Sequence, residues 1–82
     1  MAQLLYFGRL MDVTGMSQET VTLPATVHDT SALRRWLDTD RSLGGALLEE
    51  TVRLAVNSEI VTDPHPISDG DEIAFMPPVG GG

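Results

Sequence analysis

Eighty-two residues, 41% of them apolar, suffice for one domain with a modest core, and not for a deep cleft with its own catalytic machinery. The absence of cysteine excludes disulfides, thiolate zinc sites, cysteine-ligated iron–sulfur clusters and a cysteine nucleophile. A net charge of −7, with five arginines and no lysine, argues against nucleic acid, whose phosphates need a basic face. An acidic surface suits a partner with a basic docking surface, or serves solubility alone.

Taken in chain order, residues 3–8 form an apolar, aromatic run ending at Gly8. This predicts a strand apolar on both faces, hence central in a sheet. Leu10 and Val13 fall at helical spacing before Gly15, which predicts one or two helical turns. Residues 17–23 alternate, with Glu19, Val21 and Leu23 on one face, and Pro24 ends the strand. A tight link between the two strands makes them antiparallel.

Asp29 or Thr30 caps a helix through residues 31–37, whose Leu33, Trp36 and Leu37 form one apolar stripe. Trp36 reads as a core anchor. Residues 38–45 read as a polar, glycine-bearing loop, and residues 46–50 as a short second helix. Residues 52–56 make another strand, Asn57-Ser58 a turn into Ile60-Val61, and two prolines keep residues 63–67 out of regular strand. Asp69-Gly70-Asp71 turns the chain into a last strand over residues 72–76, with Ile73 and Phe75 on one face and Ala74 and Met76 on the other.

A hairpin, one crossing helix and returning strands predict an α+β fold, a β-grasp (ubiquitin-like) mixed sheet packed on one main helix. Its first and last strands then lie parallel in the middle. The expected organisation is a β-grasp domain over residues 1–76 and an extended C-terminal tail over residues 77–82. No apolar run is long enough to cross a membrane and no signal pattern opens the chain, so the expected location is cytoplasmic.

The tail, Pro77-Pro78-Val79-Gly80-Gly81-Gly82, joins a stiff, extended base to three residues without side chains. At ~3.3 Å per residue it spans roughly 20 Å, enough to pass a terminal carboxylate through a gap too narrow for a Cβ. The competing reading is a frayed terminus with no task. Other candidate sites are weaker. His28 and His65 lack a serine–acid arrangement or a metal spacing, and Asp69 and Asp71 lack further calcium ligands. Gly44-Gly45 lacks the Lys-Ser/Thr of a phosphate loop, and Asp38, Asp40, Glu49 and Glu50 read as solvated faces.

The chain resembles a known family, the small, sulfur-carrying (MoaD-like) subunit of molybdopterin synthase. The resemblance rests on Leu4-Leu5-Tyr6-Phe7 with residues 9–15, Leu54-Ala55-Val56-Asn57, Asp63-Pro64-His65-Pro66-Ile67, Asp69-Gly70-Asp71-Glu72-Ile73-Ala74-Phe75 and the closing Pro77-Pro78-Val79-Gly80-Gly81-Gly82. It is weakest over residues 27–51, and Gly80 stands where the family more often has a small side chain. The resemblance implies a carrier that is not catalytic alone and binds no cofactor. A ubiquitin-activating-like adenylyltransferase uses ATP to adenylate Gly82, and a sulfur donor turns the adenylate into a thiocarboxylate. The large synthase subunit, assembled with the carrier as a heterotetramer, takes the tail into its active site, where sulfur passes to a pterin precursor.

In that scheme Gly81 and Gly82 leave the carbonyl open to attack, while Pro77, Pro78, Val79 and Gly80 line the entry to the partner. Phe7, Ile60, Met76 and Phe75 are the candidates for an apolar patch that both partners use. Phe75 reads first as core; Met76 and Ile60 suit either role. Two other functions compete. One is a carrier or lysine-directed modifier of another pathway, such as thiamin synthesis, with the acceptor lysine on another molecule. The other is a plain interaction module.

Overall fold

The computed structural model describes residues 1–78. Strand β1 (Ala2–Tyr6) leads through helix α1 (Arg9–Thr14) to β2 (Gln18–Val21), then to helix α2 (Thr30–Asp40). Strands β3 (Arg53–Val56), β4 (Glu59–Val61) and β5 (Glu72–Met76) follow. They form one sheet in the order β2-β1-β5-β3-β4. β1 and β5 are parallel, with Leu4 opposite Ile73 and Tyr6 opposite Phe75, and the neighbouring pairs are antiparallel. This is the expected β-grasp, with the first and last strands adjacent and interior.

Alternation along each strand decides which side chains are buried. Ala2, Leu4 and Tyr6 of β1, Leu54 and Val56 of β3, and Ile73 and Phe75 of β5 form one face, all at 6% exposure or less. Leu33 and Leu37 of α2 complete the same core. Burying each of these leucines contributes about 1.5–3 kcal/mol. Trp36 is half-buried and packs at the edge of that cluster, as an anchor should.

The start of α2 is fixed twice. The Asp29 carboxylate accepts from the Ala32 N–H at 2.8 Å, an N-cap. Thr30 is fully buried and reads the backbone of His65: its N–H donates to the His65 carbonyl, and its hydroxyl accepts the His65 N–H, both at 3.0 Å. Residues 63–67 contribute only an isolated bridge between Asp29 and Pro66, in keeping with their prolines.

Two expectations are corrected here. Helix α2 runs on to Asp40 instead of ending at residue 37, and residues 46–50 form turns instead of a second helix. The second difference has a visible cause. Asp38 is buried, and its carboxylate accepts from the N–H groups of Gly45 and Leu47. Arg34, one turn earlier, donates to the carbonyls of Leu47, Glu49 and Val52. These side chains fix the backbone of residues 45–52 in a path of turns. Asp38 is therefore a structural acid and not part of a solvated face.

Candidate functional site

Gly8, the N-cap residue of α1, has φ 58°, a conformation that suits glycine. A Cβ on Gly8 would stand 2.7 Å from Cγ of Pro77. The bare glycine thus lets the first residue beyond β5 lie against the end of β1. The Phe7 N–H donates to the Phe75 carbonyl at 3.1 Å and closes the last parallel rung beneath this contact. The stem of the tail accordingly leaves from the middle of the sheet, held on one side by the β1–α1 corner. Val79, Gly80, Gly81 and Gly82 lie outside the described residues.

The sheet face opposite α2 has no helix over it among the described residues. Strand register places Gln18, Leu5, Ala74, Ala55 and Ile60 across it in one row. Phe7 continues the β1 register towards Met76, and Met76 lies opposite Arg53 in the next row. Ala55 and Ala74 are buried only because they are small and flanked on both sides. Ile60 is 67% exposed and Phe7 48% exposed, both high for residues of this type. Met76 and Pro77 are half-buried and Pro78 is exposed.

Of the predicted partner-binding residues, Phe7, Ile60, Met76, Pro77 and Pro78 therefore share one region of the surface. Phe75 does not. It is fully buried beneath the sheet and stacks on Tyr6 with ring centroids 5.4 Å apart. Its odd place in the β5 alternation points it at α2, so it supports the open face from below and is corrected to a core residue.

Further residues were not singled out as site candidates from the sequence. Leu5 and the two alanines floor the open face; alternation against the core set is the signal that finds them. Met11 and Leu48 are 43% and 49% exposed, and an Arg9–Glu49 ion pair at 3.2 Å joins the segments that carry them. Arg53 borders a surface hollow of about 390 Å³ with Thr51, Ile60 and Pro78.

Electrostatics are concentrated on the other side of the sheet. The Tyr6 hydroxyl donates to Glu19 at 2.9 Å, and Arg41, at the end of α2, donates to both Glu19 oxygens. Burial, and then the bond to Glu19, push the Tyr6 phenol well above its ordinary range. This network ties β1, β2 and α2 together. Among the described residues, no group of three or more histidines and carboxylates is placed to hold a metal. No helix among them is long and apolar enough to cross a membrane.

Comparison with known proteins gives this geometry a context. The ThiS family model matches residues 4–82. The chain belongs to the ThiS family. The molybdopterin synthase sulfur carrier subunit of Escherichia coli (strain K12) is 35% identical over 83 residues, covering 100% of both chains. Among solved structures, SAMP1 of Haloferax volcanii, a small archaeal modifier protein, superposes with a TM-score of 0.78 at 19% identity, covering 99% of this chain and 98% of that one. A chain in the complex of subunits 1 and 2 of the molybdopterin-converting factor from Helicobacter pylori 26695 gives 0.64 at 23% identity, covering 99% and 97%. At those identities the two structures speak for the fold, which this ThiS-family chain shares. The full-length likeness to a sulfur carrier subunit speaks for the family relationship that the tail motif suggested.

Proposed function

We propose that this chain is a sulfur carrier of molybdenum cofactor biosynthesis, working in the cytoplasm through its last residue. The observation that carries the reading is the whole-length similarity to a molybdopterin synthase sulfur carrier subunit, through to residue 82 of the family match. It is supported by a stem that leaves the sheet centre beside exposed apolar side chains.

The chemistry follows from the weakness of a carboxylate as an electrophile: its charge repels nucleophiles and oxide is a poor leaving group. A Gly82 oxygen attacks the α-phosphorus of ATP, and pyrophosphate leaves. Sulfide-level sulfur from a donor then attacks the acyl carbon, AMP leaves, and the terminus becomes a thiocarboxylate. Inside the large synthase subunit that sulfur attacks a carbon of the pterin precursor, and water then cleaves the acyl–sulfur bond and restores the Gly82 carboxylate. Covalent carriage divides one hard transfer into easier steps. ATP belongs to the adenylyltransferase, and the folded body of the carrier supplies docking and reach. Gly81 and Gly82 admit the nucleophile, Pro77 and Pro78 stiffen the approach, and Val79 and Gly80 pass the partner's entrance. Phe7, Ile60 and Met76 present the apolar surface that a partner covers.

The test is intact mass after co-expression with the cognate adenylyltransferase and sulfur donor. Replacement of one oxygen by sulfur at the terminus is expected, and deletion of Gly82 should abolish it while leaving the melting temperature unchanged. A truncated chain that still restored molybdoenzyme activity in cells lacking the native carrier would overturn the mechanism. A ladder of lysine-linked adducts would assign the chain to protein modification instead.

A further inference from the structure

Charge on the open sheet face is distributed unevenly. Arg9 pairs with Glu49, Arg34 with Asp63, and Arg41 with Glu19 and Asp40. Arg53 has no carboxylate within 4.0 Å among the described residues. Glu50 and Asp63 border a smaller hollow of about 130 Å³ with it, but Asp63 is taken by Arg34 at 2.8 Å. The remaining arginine, Arg35, lies on α2, beyond the opposite face of the sheet. Arg53 is thus the one cation on the open face of the described strands. It stands opposite Met76 in the β3–β5 register and beside Ile60 and Pro78 at the foot of the tail.

That position is unusual for a chain of net charge −7. Most charged side chains of this protein are acids, and a cation between Ile60, Met76 and Pro78 interrupts an apolar surface. We propose that Arg53 is a specificity residue of the docking surface, receiving a carboxylate of the partner in the Thr51–Arg53–Ile60–Pro78 hollow. The occupant is an aspartate or glutamate of the large-subunit partner, set next to an apolar side chain that rests on Ile60 and Pro78. This rests on the carrier reading and adds to it the chemistry of the partner's contact.

Two physical arguments support the choice. A guanidinium offers a planar fork of donors that matches a carboxylate, and its weak hydration lowers the cost of covering it. An otherwise acidic surface also meets a basic partner in many rotational settings at similar energy. One inverted pair at the foot of the tail favours the setting that points the tail inward and penalises the others by like-charge contact.

The experiment measures binding of the purified large synthase subunit from the same host to the full-length carrier by titration calorimetry, at low and physiological salt. Arg53→Gln should weaken binding by about tenfold and Arg53→Glu by about a hundredfold, while Arg53→Lys stays within a few-fold of the parent. Both losses should shrink as salt rises. Reversal of the facing acid to arginine on the large subunit should recover most of the affinity of Arg53→Glu. Arg53 is exposed and has no ion-pair partner among the described residues, so melting temperatures should be unchanged and foldedness is not in question. Binding by Arg53→Glu as tight as the parent's would overturn this inference and leave the carrier reading intact. A parent chain that does not bind the large subunit would overturn both.

Discussion

Replacing Arg34 with methionine should cost this domain a large share of its stability. The guanidinium is nearly covered, with a side-chain exposure of 11%. Nη1 donates to the carbonyls of Leu47 at 3.0 Å and Glu49 at 3.3 Å, and Nη2 to that of Val52 at 2.7 Å. Nε lies 2.8 Å from an Asp63 carboxylate oxygen, off the line of its N–H, so the contact is an ion pair without a hydrogen bond. Methionine keeps the apolar stem and removes every donor. Each bond from a charged donor contributes about 1.5–3 kcal/mol, and two of the carbonyls are left buried without a partner. The Asp63 side chain is 33% exposed, so solvent screens that pair and it adds little. The expected loss is about 3–4 kcal/mol, against a total of about 5–10 kcal/mol for a domain of this size. At about 4–8 °C per kcal/mol, the melting temperature should fall by roughly 15–25 °C. Equilibrium urea unfolding with the slope held common to both proteins measures the loss directly. A decrease below about 1 kcal/mol would refute the reasoning, because it would show that water replaces the guanidinium at no cost. Hydrogen exchange across residues 42–52 supplies a second readout, since release of the clamp should lower protection there first.

The remaining predictions address docking and pH. Met76→Glu puts a charge beside Phe7 on the open face and should weaken large-subunit binding at least tenfold (about 1.4 kcal/mol) while moving the melting temperature little; equal affinity by titration calorimetry would place the docking surface elsewhere. The raised Tyr6 phenol gives stability that is present below its ordinary value of 10.0 and is lost as pH rises beyond it. Melting temperature should therefore fall with pH above that value, and Tyr6→Phe should lack this alkaline dependence. Asp71 accepts from the Asn57 side chain and the Ser68 N–H, which hold its carboxyl below the ordinary 3.8. Its contribution is present above that value and fades as pH falls through it and below. A carbon-detected NMR titration of Asn57→Ala should show the Asp71 carboxyl moving back towards the ordinary value.

Much of the fold could be read from the chain because local patterns and global layout agree. The alternation of Ile73-Ala74-Phe75-Met76 gave the right faces, and the i, i+3, i+4 spacing of Leu33, Trp36 and Leu37 gave the right side of α2. Glycine and proline marked most turns. The failure at Asp38 has a plain cause. Asp38 looks like a surface acid from its neighbours in sequence, yet it is buried because it faces backbone N–H groups of the returning loop. A side chain that satisfies backbone several residues away leaves no periodic trace.

The candidate site divides along the same line. The tail, with its stiff base and side-chain-free end, is a property of composition, and any fold that leaves it uncovered would preserve it. Which apolar residues stand beside the tail is not local. Ile60 and Met76 become neighbours of Arg53 only because β3 pairs with both β4 and β5, and Phe75 is withdrawn from the surface by pointing the other way across the sheet. Strand periodicity is a short-range consequence of backbone geometry, so the sequence alone determined which residues share a face of each strand. Strand order and register are long-range choices set by how the whole core packs, and only they decided which faces meet around the foot of the tail.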